Sequence, residues 1–291
     1  MKVYIGFGSY PQVEEALRNE GAQIVDSLEQ ADAFVFTQVP IRPFPTLPPQ
    51  IQWVQLPNAG INAYVRDGII TPNIRWSNAS GAYGKQVAEA AMALLLSLKH
   101  CIPTMVRADE WPNDSSVDSA TGSLAQTRTA VVGMGGIGKA LAKLLEAFES
   151  EVVPVGRHDK LIDVASDVDH VVLCCPLTAQ THHMVDAEIF AAMKRSALLI
   201  NVARGEVVDT NALVEALDHG EIAGAGLDVT HPEPLPDGHP LWGRNNVVIT
   251  PHTANTLHSM DRYLAPVVAE NYRRLQAGER MLTEVDPSRG Y

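Results

Sequence analysis

Thr129-Ala130-Val131-Val132-Gly133-Met134-Gly135-Gly136-Ile137-Gly138 is the stretch that decides the fold. A short apolar run rich in β-branched residues enters a glycine turn. Ile137, Leu141, Leu144, Leu145 and Phe148 then fall on one helical face. The order strand, turn, helix opens a βαβ unit, and the turn fits the spacing G-x-G-x-x-G. Gly133 allows the tight turn, Gly135 lets the backbone approach a pyrophosphate, and Gly138 lets the helix pack close to the strand. Gly136 and Ile137 lie at the helix start, where N–H groups meet negative phosphates. These five residues are the expected dinucleotide-binding turn. Gly6-Phe7-Gly8 lacks a third glycine at the right place and is set aside.

Working outward, the next strand runs Val152-Val153-Pro154-Val155 and ends in Gly156-Arg157-His158. A site selective for NAD carries an acid there to bond the ribose 2′-hydroxyl. Asp159 comes slightly late. Arg157 offers a planar fork for a 2′-phosphate, and His158 can assist. NADP (NADPH) is therefore expected in preference to NAD.

The same alternation covers the chain. Strands are predicted at Val3–Phe7, Ala33–Thr37, Trp53–Leu56, Ile74–Trp76, Glu151–Val155, His170–Cys174, Ala197–Asn201, Gly224–Asp228 and Asn246–Thr250. Helical runs are predicted at Gln12–Arg18, Gln86–His100, Glu188–Met193, Asn211–Asp218 and Leu257–Gln276, the last kinked or restarted at Pro266. Pro40–Pro49 reads as a loop and Asn113–Ser123 as a connector. The fold class this implies is α/β: two Rossmann/flavodoxin-like doubly wound parallel-sheet domains with a cleft between them. The helix from Gln86 is apolar nearly all round, so it is expected to be buried or to form a homodimer interface.

Bulk properties narrow the function. A net charge of −12 with no basic stripe argues against nucleic acid and anionic membranes as partners. No apolar run is long enough to span a bilayer, and Lys2-Val3-Tyr4-Ile5 begins a strand with no signal-peptide layout. Three cysteines, Cys101, Cys174 and Cys175, lack CxxC spacing, so reduced thiols in a cytoplasmic protein and no metal site are expected.

From Gln55 onward the chain resembles the D-isomer-specific 2-hydroxyacid dehydrogenase family, in its glyoxylate/hydroxypyruvate reductase-like form. The resemblance rests on Pro176-Leu177-Thr178 with Thr181, Met193-Lys194, Ile200-Asn201-Val202-Ala203-Arg204-Gly205, Ala223–Val229, Glu233-Pro234-Leu235-Pro236, Pro240-Leu241-Trp242 and Thr250-Pro251-His252-Thr253-Ala254. It implies hydride transfer between a nicotinamide cofactor and a small 2-oxo or 2-hydroxy acid such as glyoxylate or hydroxypyruvate. His252 is then the general acid of reduction and base of oxidation, chemistry that suits an imidazole. Glu233 holds that imidazole and favours its charged form. Arg204 binds the substrate carboxylate and polarises the carbonyl. Pro176, Thr181, Val202 and Asp228 are implied on the cofactor, with Asp228 near the nicotinamide. Asn58, Ala59 and Gly60 resemble the family's substrate loop, whose backbone N–H groups receive the carboxylate; the family usually has Asp where Asn62 stands.

The domains expected on this basis are a discontinuous substrate domain, 1–98 plus 255–291, and a dinucleotide-binding Rossmann domain, 99–254. Two other readings stay open. A 3-phosphoglycerate dehydrogenase-like enzyme would want a basic residue after the third strand. Thr37-Gln38 stand there, with Arg42 nearby. A dinucleotide-sensing, corepressor-like binding protein would retain the site without turnover.

Overall fold

The computed structural model describes residues 1–38, 43–111 and 115–286; Arg42 and the start of the Pro40–Pro49 loop lie outside them. The chain divides into two compact units, 1–83 with 255–291 and 84–254.

The first unit begins β1 (Lys2–Gly6), α1 (Pro11–Asn19), β2 (Gln23–Val25), β3 (Ala33–Phe36), β4 (Trp53–Gln55), α2 (Asn62–Arg66) and β5 (Arg75–Ser77). The second contains α3 (Gly84–Lys99), α4 (Ile102–Arg107), α5 (Ser116–Ala120), β6 (Arg128–Val132), α6 (Gly136–Ala147), β7 (Glu151–Val155), α7 (Ile162–Ala165), β8 (His170–Leu173), α8 (Ala187–Ala192), β9 (Leu198–Asn201), α9 (Thr210–Asp218), β10 (Gly224–Leu227) and β11 (Val247–Ile249). The chain then returns to the first unit as α10 (Leu257–Gln276).

In the first unit the strand order is β2-β1-β3-β4-β5, and every pair is parallel. Its core is aromatic: Phe34, Phe36, Tyr64 and Trp76 are buried, with Phe44 packed on Phe36 at 4.8 Å between ring centroids. The returning chain is fastened by polar contacts. Asp261 of α10 accepts from the free N–H groups of Gln12 and Val13 at the start of α1, at 3.0 and 2.9 Å. Arg75 of β5 pairs with Glu284 at 2.9 Å.

In the second unit the order is β11-β10-β9-β8-β6-β7, again all parallel. The order reverses between β6 and β8, the topological switch point at which open α/β sheets take ligands. β8, β9 and β10 are fully buried, as expected of central parallel strands.

Two expectations need correction. The helix from Gln86 does not belong to the first domain: α3 packs on α6, β9 and β10 and so groups with the second unit. Val87, Ala88, Ala91, Leu94, Leu95 and Leu98 are buried there, so its apolar surface is largely covered within its own unit rather than awaiting a partner. Pro266 does not restart the last helix, which runs unbroken from Leu257 to Gln276. Pro266 faces outward, so the carbonyl it leaves without a donor can be hydrated. No helix among the described residues is long and apolar enough to cross a membrane.

His170 in β8 is completely buried, and among the described residues neither ring nitrogen has a hydrogen-bond partner. Burial pulls its imidazole down from 6.5 to about 4; nearby Lys99 adds to the shift and Asp169 opposes it. Above the ordinary histidine range this costs nothing. As pH falls towards about 4, the unfolded chain takes up a proton that the folded one refuses. Stability therefore drops by about 3 kcal/mol across that window. His170→Leu should remove this slope, giving equal urea midpoints at about pH 7 and about pH 4.5 as far as this residue is concerned. An unchanged difference between the two midpoints would contradict it.

Candidate active site

The glycine turn occupies the carboxyl end of β6, at the switch point. Gly133 has φ +97°, and a Cβ there would stand 2.8 Å from the Cys175 backbone at the end of β8. A Cβ on Gly138 would meet the Gly133 carbonyl at 2.2 Å, so α6 can pack this close only without a side chain. At Gly135, by contrast, a Cβ would meet nothing within 4 Å. Space therefore lies open in front of the turn, where a phosphate would approach. Gly135 is the N-cap of α6 and supplies no side-chain cap, so the first-turn N–H groups of Gly136, Ile137 and Gly138 remain available to an anion. The residues present fit a dinucleotide.

At the end of β7, Arg157 and His158 are exposed. Asp159, the acid nearest this strand end, turns back to accept from the Gly156 N–H at 2.8 Å. Its carboxylate is thus engaged in its own turn. Thr181 is likewise engaged locally: its hydroxyl donates to the Pro176 carbonyl at 2.7 Å and accepts from the Thr178 N–H at 2.8 Å. It shapes the loop after β8, on which Pro176 is exposed. Val202 is buried just beyond β9.

Arg204, Glu233 and His252 follow β9, β10 and β11, three adjacent parallel strands, at their carboxyl ends. The sheet brings together what the sequence separates. His252 Nδ1 lies 2.7 Å from Glu233 Oε1. The hydrogen bond to His252 is the main cause that holds the Glu233 carboxyl below the usual carboxylate range; burial opposes it, and the His252 charge, the Thr230 backbone and Arg204 assist. Arg204 is close enough for Glu233 and Glu206 to offset part of the burial that pulls its guanidinium down. Among the described residues His252 Nε2 makes no hydrogen bond, so this nitrogen is the one free to exchange a proton.

Several residues named in the sequence take a positioning task that only the structure reveals. Asn201 accepts from the Ala203 N–H at 3.0 Å and donates to the Arg204 carbonyl at 2.9 Å, fixing the turn that presents Arg204. Gly205 follows because a Cβ there would lie 1.9 Å from the Thr230 carbonyl. Asp228, expected near the nicotinamide, is buried. It accepts from the Thr250 hydroxyl at 2.6 Å, the Thr253 N–H at 2.9 Å and the Ala254 N–H at 3.1 Å. These residues bracket His252, so Asp228 shapes the loop that carries the imidazole. The signal was available: a carboxylate buried at a strand end must find donors. Asn58, Ala59 and Gly60 lie between β4 and α2 in the first unit, with Ala59 exposed. No cluster of three or more metal-ligating side chains occurs among the described residues.

Comparison with known proteins agrees with this geometry. Residues 90–254 match the family described as D-isomer specific 2-hydroxyacid dehydrogenase, NAD binding domain. A glyoxylate reductase of Thermofilum pendens is 32% identical over 92% of this chain and 83% of its own. A human glyoxylate reductase/hydroxypyruvate reductase is 31% identical over 78% of this chain and 75% of its own. Among solved structures, a D-isomer specific 2-hydroxyacid dehydrogenase from Xanthobacter autotrophicus Py2, in complex with NADPH and MES, superposes with a TM-score of 0.82 at 29% identity, covering 100% of this chain and 99% of that one. With a parallel-sheet nucleotide fold, a glycine turn that fits a dinucleotide and a histidine–carboxylate pair beside an arginine, the chain belongs to the D-isomer specific 2-hydroxyacid dehydrogenases, oxidoreductases that use a nicotinamide cofactor.

Proposed function

We propose that this enzyme is an NADPH-dependent reductase of a short 2-oxo acid, with glyoxylate or hydroxypyruvate as substrate. The observation that carries the reading is the 2.7 Å contact between His252 Nδ1 and Glu233, which commits one ring nitrogen and leaves the other for proton transfer. The bound nicotinamide supplies the hydride that reduces the carbonyl carbon. His252 Nε2 supplies the proton to the carbonyl oxygen as it becomes a hydroxyl, and takes it back in oxidation. Glu233 keeps the ring oriented and balances its charge. Arg204 binds the carboxylate through its planar fork and withdraws electron density from the carbonyl. The N–H groups of Asn58, Ala59 and Gly60 are assigned to the same carboxylate. Gly133, Gly135, Gly136, Ile137 and Gly138 take the pyrophosphate, and Pro176, Thr181 and Val202 border the nucleotide. The glyoxylate reductases among its relatives support the substrate class.

Preference for NADPH rests on Arg157 and His158 at the end of β7, with Asp159 engaged in its own turn. Arg157→Ala should cut the preference for NADPH over NADH about tenfold or more, through a raised NADPH KM, while the NADH KM stays put. Paired assays with both cofactors check this. NADPH oxidation across a panel of 2-oxo acids tests the reading as a whole; turnover of none of them would remove it. A homodimer belongs to the same reading. It is supported by Ile102, Val106 and Trp111, which are apolar and 46%, 78% and 85% exposed.

A further inference from the structure

The loop after β4 has every carbonyl oxygen from Pro57 to Ala59 already taken. Tyr83 Oη donates to the Pro57 carbonyl at 2.7 Å, the Ala79 N–H donates to the Asn58 carbonyl at 3.0 Å, and Asn78 Nδ2 donates to the Ala59 carbonyl at 2.9 Å. In a trans peptide the C=O and the next N–H point in opposite directions. Holding three successive carbonyls on one side therefore turns the N–H groups of Asn58, Ala59 and Gly60 to the other. Among the described residues none of these three N–H groups makes a hydrogen bond. Three successive unbonded donors, with the carbonyls behind them already satisfied, form a site for an anion.

The clamp is itself braced from the far end of the chain. The Asn78 carbonyl accepts from Gln55 Nε2 at 2.8 Å and from the Thr283 hydroxyl at 2.6 Å, and its N–H donates to the Thr283 carbonyl at 3.0 Å. Asn271 of α10 bonds both Gln55 Oε1 and Thr283 Oγ1 at 2.8 Å. Gln55, Asn78, Asn271 and Thr283 are all buried, so little solvent competes for these bonds. Burial also pushes the Tyr83 phenol well above its ordinary range, so it remains a donor at any working pH.

We infer that Asn78 and Tyr83 are positioning residues for substrate, and that they pre-aim the backbone N–H groups of residues 58–60 at the carboxylate of the 2-oxo acid. The inference rests on the function proposed above. Donors fixed in advance need no reorganisation when the anion arrives, so their value shows in binding. Tyr64 serves as the contrast. It donates to Asn58 Oδ1 at 3.0 Å, a side-chain atom, and orients no peptide plane.

The test uses the whole enzyme and the variants Tyr83→Phe, Asn78→Ser and Tyr64→Phe. Steady-state kinetics with glyoxylate are paired with calorimetric titration of oxalate, a probe carboxylate, onto the NADPH-saturated protein. Tyr83→Phe and Asn78→Ser should each raise the glyoxylate KM and the oxalate Kd about tenfold, with kcat and NADPH affinity changed less than about twofold. Tyr64→Phe should leave all four within about twofold. A general loosening of the fold would move NADPH affinity, kcat and the melting temperature together, and would overturn the inference. So would wild-type values of KM and Kd in Tyr83→Phe, the variant that deletes only a hydroxyl. A wild-type enzyme that binds oxalate but reduces no 2-oxo acid would remove the proposed function, while the oxalate series still decides the role of Asn78 and Tyr83. A wild type that binds no oxalate would overturn the inference itself.

Discussion

His252→Asn should lower kcat for 2-oxo acid reduction by about 10²–10⁴ while leaving NADPH affinity within about twofold. Asparagine is the right replacement because His252 has φ +53°, a left-handed backbone that asparagine tolerates better than most residues. The backbone bonds that place this residue, from its N–H to the Asp228 and Thr250 carbonyls at 2.8 and 2.9 Å, then survive. Asparagine can also still reach towards Glu233, so the loop need not rearrange. What it lacks is a group that can give up a proton, and the loss falls on the chemical step. Stopped-flow measurement of NADPH oxidation separates that step from binding. A kcat within about tenfold of wild type would exclude His252 as the proton donor.

Arg204→Gln should lower kcat/KM by about 10²–10³. The side chain is half-buried on a turn fixed by Asn201, with a nitrogen 2.6 Å from the Ala203 carbonyl. Its charge is therefore held in a fixed direction. Truncating one partner of a charged, hydrogen-bonded pair in a site of this kind costs about 2–5 kcal/mol, which is the range expected here. Arg204→Lys should recover less than about tenfold of the loss, because an ammonium is a point charge and cannot make two parallel bonds to a carboxylate. Full rescue by lysine would show that only charge matters. The largest rise in KM is expected with the smallest 2-oxo acids, which have little besides the carboxylate to hold them.

Most of the architecture was legible because its signals are local. Apolar runs bounded by glycine or proline located the central strands to within a residue or two. β2 was not legible. Gln23–Val25 is three residues long with Gln23 exposed, and it is a strand only because it pairs with Lys2, Val3 and Tyr4 of β1. The placement of α3 was misread for a related reason. Periodicity showed that the helix is apolar nearly all round but not which surfaces cover it; α6, β9 and β10 do so.

The site divides in the same way. Arg204, Glu233 and His252 could be picked out because each is a chemically capable side chain at the end of an apolar strand, in motifs that resemble a known family. Asp228 was visible but its task was not, since Thr250, Thr253 and Ala254 are neighbours of Asp228 only once β10 and β11 pair. Asn78 and Tyr83 were not legible as site residues. Their acceptors lie on a different turn of chain, and nothing in the sequence around Asn78 announces that its amide will hold the Ala59 carbonyl.

By itself the sequence determined the central strands and the longer helices, and that a glycine turn opens a nucleotide-binding βαβ unit. These depend on side-chain period and backbone freedom, which act over a few residues. Only the tertiary structure decided which strand ends are adjacent, that an imidazole and a carboxylate 2.7 Å apart share one sheet edge, and which carbonyls of the 57–60 loop are tied down. Those facts depend on hydrogen bonds between residues distant in the chain, and such partners are fixed only when the sheets assemble.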